Sequence, residues 1–159
     1  MQISEDQTSR LDSHWMLEAL EQAQQAYDAD EVPIGAVLVR DGVIIGRGYN
    51  QTISACDPSA HAEILALRDA GKNVENYRLP GATVYVTVEP CTMCFGALVH
   101  ARIARLVYAT AEPKAGVVES NRCLTLDHFN HQFEVQGGIL AEPAAKLMRD
   151  FFAARRSKK

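Results

Sequence analysis

Residues 83–94 read T-V-Y-V-T-V-E-P-C-T-M-C, a run that passes from β-branched residues straight into a proline and two cysteines. Thr83 to Val88 has the composition of an interior strand. Pro90 suits a first helical turn, where its missing N–H is no loss, so the strand is expected to run directly into a helix carrying Phe95, Ala97, Leu98 and Val99. Downstream, Arg105 to Ala109 predicts another strand, Phe133 to Gln136 a shorter one, and a last helix begins near Glu142-Pro143 with Leu147, Met148, Phe151 and Phe152 as its apolar face. Upstream, Pro33 to Val39 and Val43 to Gly48 flank Asp41-Gly42, a dipeptide that supplies the positive φ angles of a tight hairpin turn. The hairpin ends at Tyr49-Asn50. Beyond a polar loop, Asp57 and Pro58 predict the start of a helix that Gly71 stops, and Ile64, Leu65, Ala66 and Leu67 surround it as they would a buried one. A first helix is expected from Asp12 or Ser13 to about Asp30, with Trp15 or Met16, Leu20, Ala23 and Tyr27 on one stripe. A hairpin followed by alternating helices and strands predicts an α/β domain built on a mixed five-stranded sheet with helices on its faces.

The chain has 159 residues, enough for one domain with a proper core and too few for two. Residues 13–154 are read as that domain, residues 1–12 as a flexible N-terminus, and residues 155–159 as a basic tail. Hydrophobic residues make up 47% and charged residues 23%, and no apolar run reaches the ~20 residues a membrane helix needs. The opening M-Q-I-S-E-D-Q-T-S-R has no basic patch before an apolar stretch, so a cytoplasmic protein with reduced cysteines is expected. A net charge of -4 argues against indiscriminate attraction to phosphates. The distribution is uneven, because Arg149, Arg155, Arg156, Lys158 and Lys159 face only Asp150 near the C-terminus. Such a cluster complements a helix dipole or contacts phosphates.

Cys91 and Cys94 are three residues apart at a helix start, where exposed amides favour thiolates and both sulfurs share a face. The pair is equally a redox dithiol or part of a metal site. A closed structural zinc site would need a fourth ligand, for which Cys56 and Cys123 are available, although neither belongs to a close-spaced ligand pair. His61 and Glu63 open the other helix. Residues two apart on a helix point in different directions, so Glu63 need not bind what His61 binds. One imidazole and two thiolates would cancel the charge of a zinc ion and leave its fourth position for water, whose pKa zinc lowers to about 7. A neighbouring carboxylate can then take and deliver that water's proton. Taken singly, His61 reads equally as a hydrogen-bonded core histidine and Glu63 as compensation for the helix dipole.

The combination of H-A-E at 61–63 with P-C-T-M-C at 90–94 resembles the zinc-dependent nucleobase and nucleoside deaminases. Longer stretches are similar to the bacterial tRNA-specific adenosine deaminase family: E-V-P-I-G-A-V-L-V at 31–39, D-P-S-A-H-A-E-I-L-A-L-R at 57–68, N-Y-R-L at 76–79, A-T-V-Y-V-T-V-E-P-C-T-M-C at 82–94, H-A-R-I at 100–103, N-H at 130–131 and F-F-A-A-R-R at 151–156. The resemblance implies a three-layer α/β/α cytidine-deaminase-like fold, a homodimer, and one zinc per subunit held by His61, Cys91 and Cys94. It also implies Glu63 as proton shuttle, Asn50 as a substrate-binding residue, and hydrolysis of adenosine to inosine at the wobble position of a tRNA anticodon loop, with release of ammonia. By its residue type alone Asn50 reads as a turn residue. The stretch E-P-K-A-G-V-V-E-S at 112–120 departs from the family pattern D-x-K-x-G followed by small residues and Gly-Ser, placing Glu112 and Glu119 where the RNA contacts of the loop would be altered. Cys56 stands where the family often has histidine. Two other functions share part of this pattern: a deaminase of free guanine, cytosine or their nucleosides, and a non-catalytic zinc-stabilised RNA-binding module.

Overall fold

The central sheet is assembled from residues distant in sequence, and its strand order decides where the two helix starts meet. In the computed structural model, which describes residues 2–122 and 126–158, the elements are α1 (Glu5–Asp28), β1 (Gly35–Arg40), β2 (Val43–Tyr49), α2 (Ala62–Val74), β3 (Thr83–Val88), α3 (Thr92–His100), β4 (Arg105–Thr110), a single 3-10 turn (Leu126–His128), β5 (Glu134–Gln136) and α4 (Ala141–Ser157). The strand order is β2-β1-β3-β4-β5. β1 is antiparallel to both neighbours, whereas β3, β4 and β5 run parallel, so the sheet is mixed as expected. Asp41 and Gly42 both have positive φ, +53° and +72°, which closes the β1–β2 hairpin in the way the Asp-Gly pair predicts.

Alternation along the strands divides the core into two layers. Ala36, Leu38, Val84, Val86, Leu106 and Tyr108 face α2 and α3, meeting Ala62, Ala66, Ala70, Phe95 and Leu98. The opposite face presents Val37, Val39, Tyr85, Val107 and Ala109 to Met16 and Ala19 of α1 and Ala144 of α4. This is the three-layer α/β/α arrangement. Small residues set how closely α2 approaches: a Cβ on Gly46 or Gly48 would sit 2.5 Å from the backbone carbonyl of Ala66 or Ala62. Bare glycines on β2 against an alanine stripe on α2 therefore seat the helix directly on the sheet, with its N-terminus at the strand ends.

Several element boundaries differ from the sequence expectation. The first helix starts at Glu5 and not at Asp12 or Ser13, because Ser4 and Gln7 form a reciprocal capping box. Asp12 is instead buried within it, accepting two bonds from the Arg105 guanidinium at 2.6 and 2.8 Å and one from the Tyr85 hydroxyl at 3.0 Å. Removing one partner of such a pair leaves the other charge buried and unpaired, so Asp12→Ala is expected to cost about 3 kcal/mol. That loss is read as a lowered urea midpoint with unchanged metal content. Asp57 does not cap α2; its carboxylate accepts from the amide and hydroxyl of Ser59 in a preceding turn, and the helix begins at Ala62. Gly71 does not stop α2 either, since the helix runs to Val74 and ends on Glu75 in a left-handed conformation. Only Ala62, Glu63, Ala66 and Ala70 of that helix are buried, while Ile64, Leu65 and Leu67 are half-buried. Pro90 precedes α3 by two residues. At the C-terminus, Arg155 and Arg156 belong to the last turn of α4, with Arg155 lying over the Phe151 ring.

Candidate functional site

His61 and Cys91 occupy the same position in two different helices, the residue immediately before the first turn of α2 and of α3, and neither side chain caps its own helix. Both are thereby free to point across the gap between the helix starts. The first amide of α2 is satisfied from outside the helix: the Asn50 side-chain carbonyl accepts the Ala62 N–H at 2.9 Å. Asn50, just beyond β2 and buried, thus joins the hairpin to the first turn that carries His61 and Glu63.

The His61 Nδ1 atom lies 3.6 Å from the Cys91 sulfur and 3.5 Å from the Cys94 sulfur. Their ligand atoms all fall within 4.8 Å of one another, and among the described residues this is the one cluster of at least three His, Cys, Asp or Glu side chains arranged to hold a metal ion. One nitrogen and two sulfurs form a donor set that suits a borderline-soft divalent ion with a coordination position left open. Cys56 is exposed in a turn with positive φ and does not belong to the cluster. Cys123 lies outside the described residues.

The three side chains share protons unequally, and only the Cys91 thiol is held toward its deprotonated form. A hydrogen bond from Cys94 holds the Cys91 thiol at about 4, well below its ordinary value, with His61 contributing in the same direction. The same bond, reinforced by burial, pushes the Cys94 thiol up. His61 is raised because its ring hydrogen-bonds to Cys91, which outweighs the effect of burial. These shared protons are those that a metal ion displaces on binding. Glu63 is 4% exposed, and burial lifts its carboxyl above the usual range while it stands close enough to the two cysteines and His61 to sense their charges. A carboxyl so raised holds its proton more tightly than a solvated one, which suits a group that must both take up and deliver protons.

A cleft of about 200 Å³ opens onto these groups. Its walls include His61, Glu63, Cys91, Val32, Ile34 and Glu112, and α4 contributes Met148 and Phe152. Asn50 is not among the lining residues. Sequence periodicity places Met148 and Phe152 only on an apolar helix face and carries no signal of a place in the cleft; in the fold Phe152 is 41% exposed. Glu89, at the end of β3, also borders the cleft and was not singled out by any motif. A charge between a β-branched interior strand and a proline is the clue to it.

The chain matches the MafB19-like deaminase family over residues 11–156. It is 48% identical over 153 residues to the tRNA-specific adenosine deaminase of Haemophilus influenzae, a match covering 95% of this chain and 88% of that protein. Identity to the tRNA-specific adenosine deaminase of Agrobacterium fabrum is 46% over 145 residues, covering 91% and 95%. A structure solved in work on A-to-I editing by tRNA:A34 deaminases at the wobble position of transfer RNA superposes with a TM-score of 0.80 at 44% identity, over 85% of this chain and 99% of that one. A guanine deaminase from Nitrosomonas europaea has a TM-score of 0.77 at 26% identity, over 89% of this chain and 84% of that one.

Proposed function

Because this chain belongs to the tRNA-specific adenosine deaminases, we propose that its cleft converts adenosine to inosine at the wobble position of a tRNA anticodon, with His61, Cys91 and Cys94 as zinc ligands and Glu63 as the proton carrier. The observation that carries this reading is the convergence of His61, Cys91 and Cys94 beside a buried, proton-retaining Glu63 at the mouth of one cleft. Relatives at 46–48% identity support adenosine in tRNA as substrate, ahead of the free-base alternative represented by a guanine deaminase at 26%.

Hydrolytic deamination exchanges the C6 amino group for a carbonyl: water adds to C6, and ammonia leaves. Zinc held by the three ligands would supply an electrophile that brings a water's pKa from 15.7 to about 7. Glu63 accepts one proton of the attacking water and passes it to the purine ring nitrogen; as the C6 carbonyl forms it takes the second proton from the hydroxyl on C6 and delivers it to the departing amine. Its burial is what gives it the affinity for both steps. The Asn50 carbonyl is occupied by the Ala62 amide, so Asn50 offers the substrate its amino group as a donor. Val32, Ile34, Met148 and Phe152 supply apolar walls for a flat base.

An anticodon loop is an apt substrate because its bases are already unpaired, which lowers the cost of extruding one into a cleft. We assign the basic residues Arg155, Arg156 and Lys158 to phosphates of that RNA, with Lys159 of the same tail lying outside the described residues, and we take the working form as a cytoplasmic homodimer. Among the described residues no helix is long and apolar enough to cross a membrane. The test is to incubate the zinc-loaded protein with an anticodon stem-loop, free guanine, cytosine and cytidine and to measure ammonia. Release from the stem-loop alone is expected; release only from a free base would overturn the assignment.

A further inference from the structure

Glu89 directly follows β3, two residues before Cys91, and it is 3% exposed. Its carboxylate gathers one loop. Oε2 accepts the amides of Val118, Glu119 and Ser120 at 2.9, 2.9 and 3.0 Å, while Oε1 accepts the Glu112 amide at 3.0 Å and the Ser120 hydroxyl at 2.5 Å. A carboxylate has about four lone-pair directions, so five donors fill its capacity and leave none for a substrate proton or a metal. This separates Glu89 from Glu63, although both border the cleft.

Two further observations show that the loop is built around this carboxylate. A Cβ on Gly116 would lie 2.5 Å from Glu89 Oε1, so only glycine lets the chain wrap so closely. Immediately afterwards, the Val117 amide donates to the Pro90 carbonyl at 3.1 Å, tying the loop to the residue before Cys91. The same loop puts Glu112 and Ala115 into the cleft wall and leaves Lys114 exposed. A polynucleotide that delivers a base into the cleft must pass over this wall.

We propose that Glu89 is a positioning residue for the RNA substrate: by holding residues 112–120 in one conformation it sets the wall on which the nucleotides flanking the reacting base rest. The proposal rests on the tRNA reading of the site. Its consequence is that Glu89 governs RNA affinity and not the chemical step.

The zinc-loaded proteins to compare are wild type, Glu89→Gln and Gly116→Ala, using an anticodon stem-loop as probe. Both variants are expected to weaken stem-loop affinity, read by fluorescence anisotropy, by about tenfold, with kcat within about threefold and zinc content unchanged. Backbone amides of Glu112, Val118, Glu119 and Ser120 should exchange hydrogen faster, those of α2 and α3 at the wild-type rate. Rescue is graded, since Ser120→Ala, which removes one of the five bonds from an exposed hydroxyl, should give a smaller loss in the same direction and remains available if Glu89→Gln fails to fold. Unchanged affinity in all folded variants, or a fall in kcat or zinc content with affinity intact, would overturn the proposal. A wild type that binds the stem-loop yet releases no ammonia would instead overturn the reaction assigned to the site, with the affinity comparison still deciding the role of Glu89.

Discussion

Glu63→Gln is expected to stop turnover while leaving a full complement of metal. General acid–base catalysis by a positioned group contributes about 10²–10⁴ in rate, and the amide of glutamine can neither accept the water's proton nor deliver one to the amine. A loss of kcat in that range, with zinc still one per chain by elemental analysis, is the expected pair of results. Retained activity, or loss of zinc together with activity, would contradict the separation of Glu63 from the ligand set. The same variant has a stability signature in metal-free protein. Burial raises the Glu63 carboxyl from its ordinary 4.5, so the folded state holds this proton more tightly than the unfolded one. Wild type therefore loses stability as pH rises from about 4.5 through the raised folded value, whereas Glu63→Gln, having no charge to bury, is spared that loss. Denaturant midpoints of chelated protein at pH 5 and pH 7 compare the two.

Replacing Cys91 with serine removes the thiolate at the start of α3 and should abolish both metal binding and activity. With two donors left, and the softer one deeply buried, the site no longer matches the N/S set that zinc prefers. The consequence reaches the fold, because the ion would join the starts of α2 and α3, two elements held otherwise by packing on the sheet. A ligand present at a hundred times its dissociation constant stabilises by about 2.7 kcal/mol, which for a chain of this size corresponds to a Tm lowered by about 5–11 °C on its loss. Chelation of wild type should reproduce that shift. Zinc at one per chain in Cys91→Ser, or a Tm in wild type unaffected by chelation, would remove Cys91 from the ligand set.

Much of this molecule is legible in local patterns, and the reasons are local too. The Asp41-Gly42 turn follows from the φ angles it needs, β3 from β-branched residues, and the pairing of His61 with Cys91 and Cys94 from residue types that serve one chemistry when found together. Helix starts are read less well. The cap of α1 is Ser4, bonded reciprocally to Gln7 and eight residues ahead of the acidic residue that looked like its cap, and Asp57 satisfies Ser59 while Asn50, from the end of the hairpin, serves the first amide of α2. The first two are choices among near neighbours in the chain, whereas the third depends on where the sheet places the end of the hairpin.

By itself the amino-acid sequence determined the mixed α/β class and the order of its elements, through composition, spacing and intrinsic backbone preference, and through its resemblance to a family it singled out His61, Cys91, Cys94 and Glu63 as the candidate metal-ligand and proton-carrying side chains. Tertiary structure alone decided three other things: that Asp12 pairs with Arg105 through the α1 layer, that Met148 and Phe152 of α4 wall the cleft, and that Glu89 holds the loop at 112–120. Each joins residues with no shared periodicity, brought together when β3 and β4 align in the middle of the sheet and the helices pack on its two faces. Burial then made the choice final, because a charge taken out of water must find its partners within the fold.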